Sequence, residues 1–233
     1  MTEQDERIAH AIQHTRVVRP PRQILATFGT TTIHYYLVTE PVYSELPKQG
    51  EDTVIREGTV TSERPRVVTP YYLAHLEGFG ESARRYAEEM ARQHGSQAPG
   101  LLYSYRNETK ETSIVSGRPP DVARRIGDDL DTRQEKLAAV IAGVDELWDV
   151  SLLKFMFELT SASVVGNVTE MHSRGLLAVD REGLPQDARA GIERLFHEVR
   201  EGNMDPSVLK RELDQWGVFH EYEDRFMALF HRR

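Results

Sequence analysis

Cysteine is absent from this chain of 233 residues. That excludes a disulfide framework, a zinc–thiolate site, an iron–sulfur cluster and a thiol nucleophile together. Long apolar runs are missing too. One of the longest, LLKFMFEL around Lys154 and Glu158, falls far short of the ~20 residues a bilayer crossing needs. The opening MTEQDERIAH is acidic and has no apolar h-region, so no secretory signal is expected. There is no G-x-x-x-x-G-K phosphate loop and no G-x-S-x-G nucleophile elbow. Positive charge is in deficit, with 29 basic residues against 37 acidic and a net charge of −8.

What remains is an ordinary globular composition, 39% hydrophobic and 28% charged. The length suits one large domain or two small ones. Charge and aromatics are unevenly spread. Residues 1–120 carry 14 basic and 15 acidic side chains, residues 121–233 carry 15 and 22, and eight of nine tyrosines precede residue 106. The change of character falls near Pro119-Pro120. A strand-rich region with an N-terminal arm (1–118) and a helical region (119–233) are therefore expected, as two parts or as one continuous domain.

In the first part the pattern has period two. Residues 22–28 and 31–40 are rich in β-branched and aromatic side chains and are split by Gly29-Thr30, which predicts a hairpin. The second of these strands is apolar on both faces, with Ile33, Tyr35 and Leu37 on one and His34, Tyr36 and Val38 on the other, so it should be central and covered on both sides. Residues 53–62 form another strand with Gly58 at a turn or bulge. Residues 101–106 and 111–116 flank the polar 107–110 and predict a further hairpin. The fold class is α+β: an antiparallel sheet of about five strands with packed helices, followed by an all-helical half.

Helix signals are local. Thr69-Pro70 and Asp205-Pro206 both place a capping side chain before a proline that suits the first helical turn. Gly95 stops a helix over 82–94. After Pro120, helices are predicted over 121–130, 135–142, 145–160, 165–174, 185–200, 206–215 and 218–230. The helix over 145–160 is apolar almost all round, from Leu147 and Trp148 to Leu159, and such helices are normally buried. Lys154 and Glu158, four apart on its thin polar stripe, form a candidate polar pair inside it.

Functional motifs are sparse. GFGESA (78–83) matches a loose dinucleotide pattern but follows a helix, where the glycines read as punctuation. His10/His14 and Glu193/His197 have i, i+4 spacing, yet neither belongs to a metal signature, and no metal site or cofactor is expected. TRVVRPPRQ (15–23) is the one locally basic segment. Arg16, Arg19 and Arg22 in it are candidate phosphate or RNA contacts. SASVVGNVTEMHSRGLLAVDREG (161–183), with the helix before it, resembles a winged helix-turn-helix over about 35 residues. That resemblance implies a second helix in the DNA major groove and a basic wing. The segment is acidic where the family is basic, which disfavours duplex DNA.

Near the C-terminus Phe219, Tyr222, Phe226, Leu229 and Phe230 make one apolar helical stripe. It is a candidate interaction surface, for the protein's own helices, a second copy or another protein. The reading that fits best is a non-catalytic cytoplasmic binding or assembly protein whose partner is itself or another protein, with no membrane role. A winged-helix-like nucleic-acid-binding regulator, RNA included, and an enzyme with an unrecognised site are the alternatives.

Overall fold

The computed structural model describes residues 3–41, 52–76, 81–181 and 183–230. In chain order the elements are α1 (Glu3–His14), β1 (Arg16–Arg19), β2 (Thr31–Thr39), β3 (Asp52–Ser62), β4 (Arg66–Val68), α2 (Pro70–Ala74) and α3 (Glu81–His94). There follow β5 (Gly100–Leu102), β6 (Tyr105–Ser116), α4 (Pro119–Thr132), β7 (Ala138–Gly143), a 3-10 turn (Asp145–Leu147), α5 (Trp148–Ser173), α6 (Gln186–Arg200), α7 (Pro206–Trp216) and α8 (Phe219–Met227). The chain divides into two compact units, residues 1–64 with 103–167, and residues 65–102 with 168–233.

The first unit is built on a five-stranded sheet in the order β1-β7-β2-β3-β6. The class is α+β. The sheet is mixed, however, and not purely antiparallel: β2 and β7 run parallel, with Leu37 beside Ile141, while the other pairs are antiparallel. Parallel neighbours need a crossover, and α4 provides it between β6 and β7. Strand β2 is central and covered on both faces, as its two apolar faces predict. Ile33, Tyr35 and Leu37 pack with Leu152, Phe155, Met156 and Leu159 of α5. Val38 on the other face packs with Val122, Ala123 and Leu130 of α4.

Three local expectations give way. Residues 138–143 are strand, not helix. AAVIAG is apolar on both faces because Ala138 and Val140 meet α4 while Ala139 and Ile141 meet α5. A doubly covered parallel strand shows no alternation, and its alanines favour helix when read locally. Residues 22–28 are not strand. Their polar groups bond elsewhere: the Leu25 N–H donates to Ser163 Oγ (3.0 Å), the Ala26 N–H to Thr31 Oγ1 (2.9 Å), and Thr27 Oγ1 to Asn167 Oδ1 (3.0 Å). Residues 107–110 make no turn, because β6 runs through them and pairs with β3 along its length. Its polar side chains are those of an exposed edge strand. The register shifts between Glu57 and Gly58, but the extra residue, Lys110, lies on β6, since Glu57 faces Glu111 and Gly58 faces Thr109; at Gly58 itself Tyr35 crosses where a side chain would collide.

The second unit has a core of its own. Ile192 and Phe196 of α6, Leu209, Leu213 and Trp216 of α7, and Tyr222 and Phe226 of α8 form one buried cluster with Tyr72 of α2. Strands β4 and β5 pair beside it, and the Val67 N–H donates to the buried Asp187 carboxylate at 3.0 Å. Both capping signals hold. Thr69 accepts from the Tyr72 N–H and Asp205 from the Ser207 N–H, each with proline in the first turn.

Candidate functional site

Helix α5 is 26 residues long, about 39 Å at 1.5 Å per residue. It begins where β7 ends. Asp145 there takes a hydrogen bond from Thr39 Oγ1 (2.7 Å) and an ion pair from Arg56. One side of the helix is fully engaged. Leu152, Phe155, Met156 and Leu159 are buried against the sheet. The polar groups among them are all bonded: Ser151 to Thr15 (2.7 Å), Ser163 to the Leu159 carbonyl (2.7 Å), and the Asn167 amide to Tyr103 Oη (2.9 Å). Each inward polar atom has a partner, which is the condition for burying it.

The opposite side is also apolar and is not engaged. Leu153 keeps 70% of its surface, Phe157 71% and Val165 74%. With the small, exposed Ser161 they form a row one turn apart. Two further exposed side chains of the same unit adjoin α5. Ile24 lies against Gly166, and Ile12 belongs to the α1 end that Lys154 grips. The helix expected to be buried all round is buried on one side only. An apolar strip is left facing outward where none was foreseen.

Lys154 and Glu158 border this strip at 3.7 Å. The ammonium donates to the carbonyls of Ile12 (3.0 Å) and Thr15 (2.7 Å) and so caps the C-terminal end of α1, where a cation suits the helix dipole. That is a structural task, and Glu158 is half exposed. No buried acid–base pair forms here.

The three arginines go separate ways. Arg19 is buried, its guanidinium donating to Asp131 (2.7 Å), to the Glu135 carbonyl (2.6 Å) and to the Ala138 carbonyl (2.5 Å). Asp131 is held below the usual carboxylate range, chiefly by that hydrogen bond. Arg22 joins the same carboxylate at 3.0 Å and Arg16 is exposed. Arg19 therefore has no free face for a phosphate. The C-terminal stripe is drawn inward as well: Tyr222 and Phe226 are buried with α6 and α7, Phe219 and Leu229 pack on that core, and Phe230 stays exposed.

Other motifs dissolve in the same way. The winged-helix reading needs a turn near residues 161–164, and α5 passes through them unbroken. Among the described residues of the wing region there is a single bridge, between Val179 and Pro185. His10 and His14 stack on each other at 3.8 Å, and Glu193 serves Arg225. Among the described residues no group of three potential ligands could hold a metal ion. Gly78 and Gly80 of GFGESA lie outside the described residues. The outward face of α5 is the feature that the reading of the sequence missed. Its signal was present, in a row of apolar residues too wide for one buried side. No family model, curated protein or solved structure matches this chain.

Proposed function

We propose that this chain is a cytoplasmic binding and assembly protein that works through the outer face of α5, with no catalysis of its own. One observation carries the reading: Leu153, Phe157 and Val165 stand exposed in a row on a helix whose inner side is already fully packed. A helix apolar all round belongs inside something. Among the described residues no helix is long and apolar enough to cross a membrane; the cover this reading assigns to the strip is a protein surface. Exposed apolar patches rimmed by polar groups mark such interfaces. Covering a Leu or Phe side chain completely is worth roughly 1.5–3 kcal/mol each, so even this short row supplies a real driving force.

The absence of cysteine is in keeping with a reducing compartment. Lys154 fits the same picture, because its charge is absorbed by α1 carbonyls and does not break the strip. The test is to replace Phe157 by Asp and compare the variant with the wild type by light scattering. The reading expects a folded variant of lower mass than the wild type. Identical masses at every concentration, with no partner lost, contradict it.

A further inference from the structure

We infer that α1 is a releasable strap over the start of the α5 strip. Latched, it shields Leu147 and Val150; released, it lengthens the apolar face. This rests on the reading of that face given above and adds its regulation.

The strip does not begin at Leu153. Leu147, Val150, Leu153 and Phe157 follow one another at intervals of three, three and four, which keeps them on one side of the helix and of the turn that leads into it. Exposure divides them. Leu153 and Phe157 keep 70% and 71% of their surface, while Leu147 and Val150 are half-buried. Helix α1 makes the difference, for its Arg7 and Ile8 line one open hollow of about 780 Å³ together with Leu147 and Val150. The helix shades these two residues without packing down on them.

The two ends of α1 are held unequally. At the C-terminal end Ala11 is fully buried, and the Thr15 hydroxyl bonds to the Ala11 carbonyl and to Ser151 Oγ, both at 2.7 Å. The Lys154 ammonium holds the Ile12 and Thr15 carbonyls, and β1 follows at once. At the N-terminal end residues 3–7 are all exposed. There Arg7 reaches Glu146 at 2.6 Å, an ion pair between exposed side chains, and such pairs are weak. A helix of twelve residues does not keep its shape without tertiary support. Segments with few buried apolar contacts open locally while the rest of the fold stays intact. Helix α1 therefore opens from its N-terminal end and pivots on the Ala11–Thr15 anchor. A partner seated on Phe157 gains Val150 and Leu147 once the strap is off.

The cysteine-free sequence makes the strap directly testable. In Val150→Cys the single thiol reports the cover, because alkylation by iodoacetamide needs access. Adding Arg7→Glu sets two carboxylates against each other and should speed alkylation about three-fold or more. The added negative charge alone would slow the thiol, since it disfavours the thiolate. Hydrogen exchange should rise over residues 3–10 and stay slow over residues 11–19. Exchanging the pair, Arg7→Glu with Glu146→Arg, should restore both readings. Leu153→Cys, already open, should react at one rate with or without Arg7→Glu. No change at position 150 overturns the strap, and so does an equal rise at 150 and 153, which is general loosening. In the otherwise wild-type chain Arg7→Glu should tighten self-association in sedimentation. A strap that opens while association stays the same or weakens overturns its regulatory role. If wild type and Arg7→Glu are both monomers at high concentration, the assembly reading fails, and the thiol rates of the dilute protein still decide the strap.

Discussion

Phe155 and Phe157 stand two residues apart on one helix and face opposite ways: Phe155 retains 2% of its surface, Phe157 71%. Phe155 sits among Leu37, Ile141 and Met156 against the sheet. At 100° per residue, two steps carry Phe157 about 200°, just past half-way round the helix. The same residue type is thus core at one position and surface at the other, and the two substitutions should separate sharply.

Phe155→Ala should cost about 3–5 kcal/mol, the range for emptying an aromatic core site. Phe157→Ala should change the stability of the isolated chain by less than about 0.5 kcal/mol, as surface changes do. Urea denaturation at low protein concentration, where association is weak, measures both. Equal losses would place Phe157 in the core.

Arg19→Leu should destabilise the first unit by roughly 2–4 kcal/mol. The substitution strips donors from the buried Ala138 carbonyl and the part-buried Glu135 carbonyl, and a buried group left unpaired costs about 1–3 kcal/mol. Thermal unfolding of the purified variant checks it. If Arg19 were instead a phosphate contact, Leu would leave stability untouched.

Glu193 makes a two-pronged pair with Arg225, both bonds 2.6 Å. Its carboxyl is held below the ordinary range, first by that hydrogen bond and also by Arg225, Arg189 and Arg200 charge. A depressed carboxylate contributes stability that is present above the unfolded-state value and lost as pH falls through the folded one. Glu193→Gln should therefore be less stable than the wild type at neutral pH, by under about 1 kcal/mol for so exposed a pair. The gap should close in acid. Urea midpoints of the two proteins across the acid range decide this, and a gap that is constant with pH would contradict it.

Gly58→Ala should destabilise the sheet. A methyl group there collides with the Tyr35 hydroxyl and lies 2.7 Å from the Glu108 carbonyl oxygen, and neither the central strand β2 nor the ladder to β6 can yield cheaply. Overpacking of this kind costs about 1–3 kcal/mol. A variant with the wild-type melting temperature would show that Tyr35 can move aside.

Much of this architecture is written locally. The strands β2 and β3 and the caps at Thr69 and Asp205 follow from patterns a few residues wide. What escaped depends on distant partners. The segment around Leu25 and Thr27 looks like a strand, yet its hydrogen bonds go to Ser163 and Asn167, some 140 positions away. Strand β7 looks like helix because its alanines reveal nothing of the two helices that sandwich it. The stripe on α8 was legible as a stripe, but only the fold shows that α6 and α7 bury Tyr222 and Phe226 of it. For α5 the inference from all-round apolarity to burial is sound physics. The fold completes only half of that burial.

Sedimentation equilibrium of the wild type beside Phe157→Asp tests the central claim most directly. The account predicts a wild type that self-associates and a Phe157→Asp monomer with the same far-ultraviolet circular dichroism and the same urea midpoint as the dissociated wild-type chain. A wild type that remains monomeric at high concentration, or a Phe157→Asp variant that dimerises as tightly as the wild type, would contradict it.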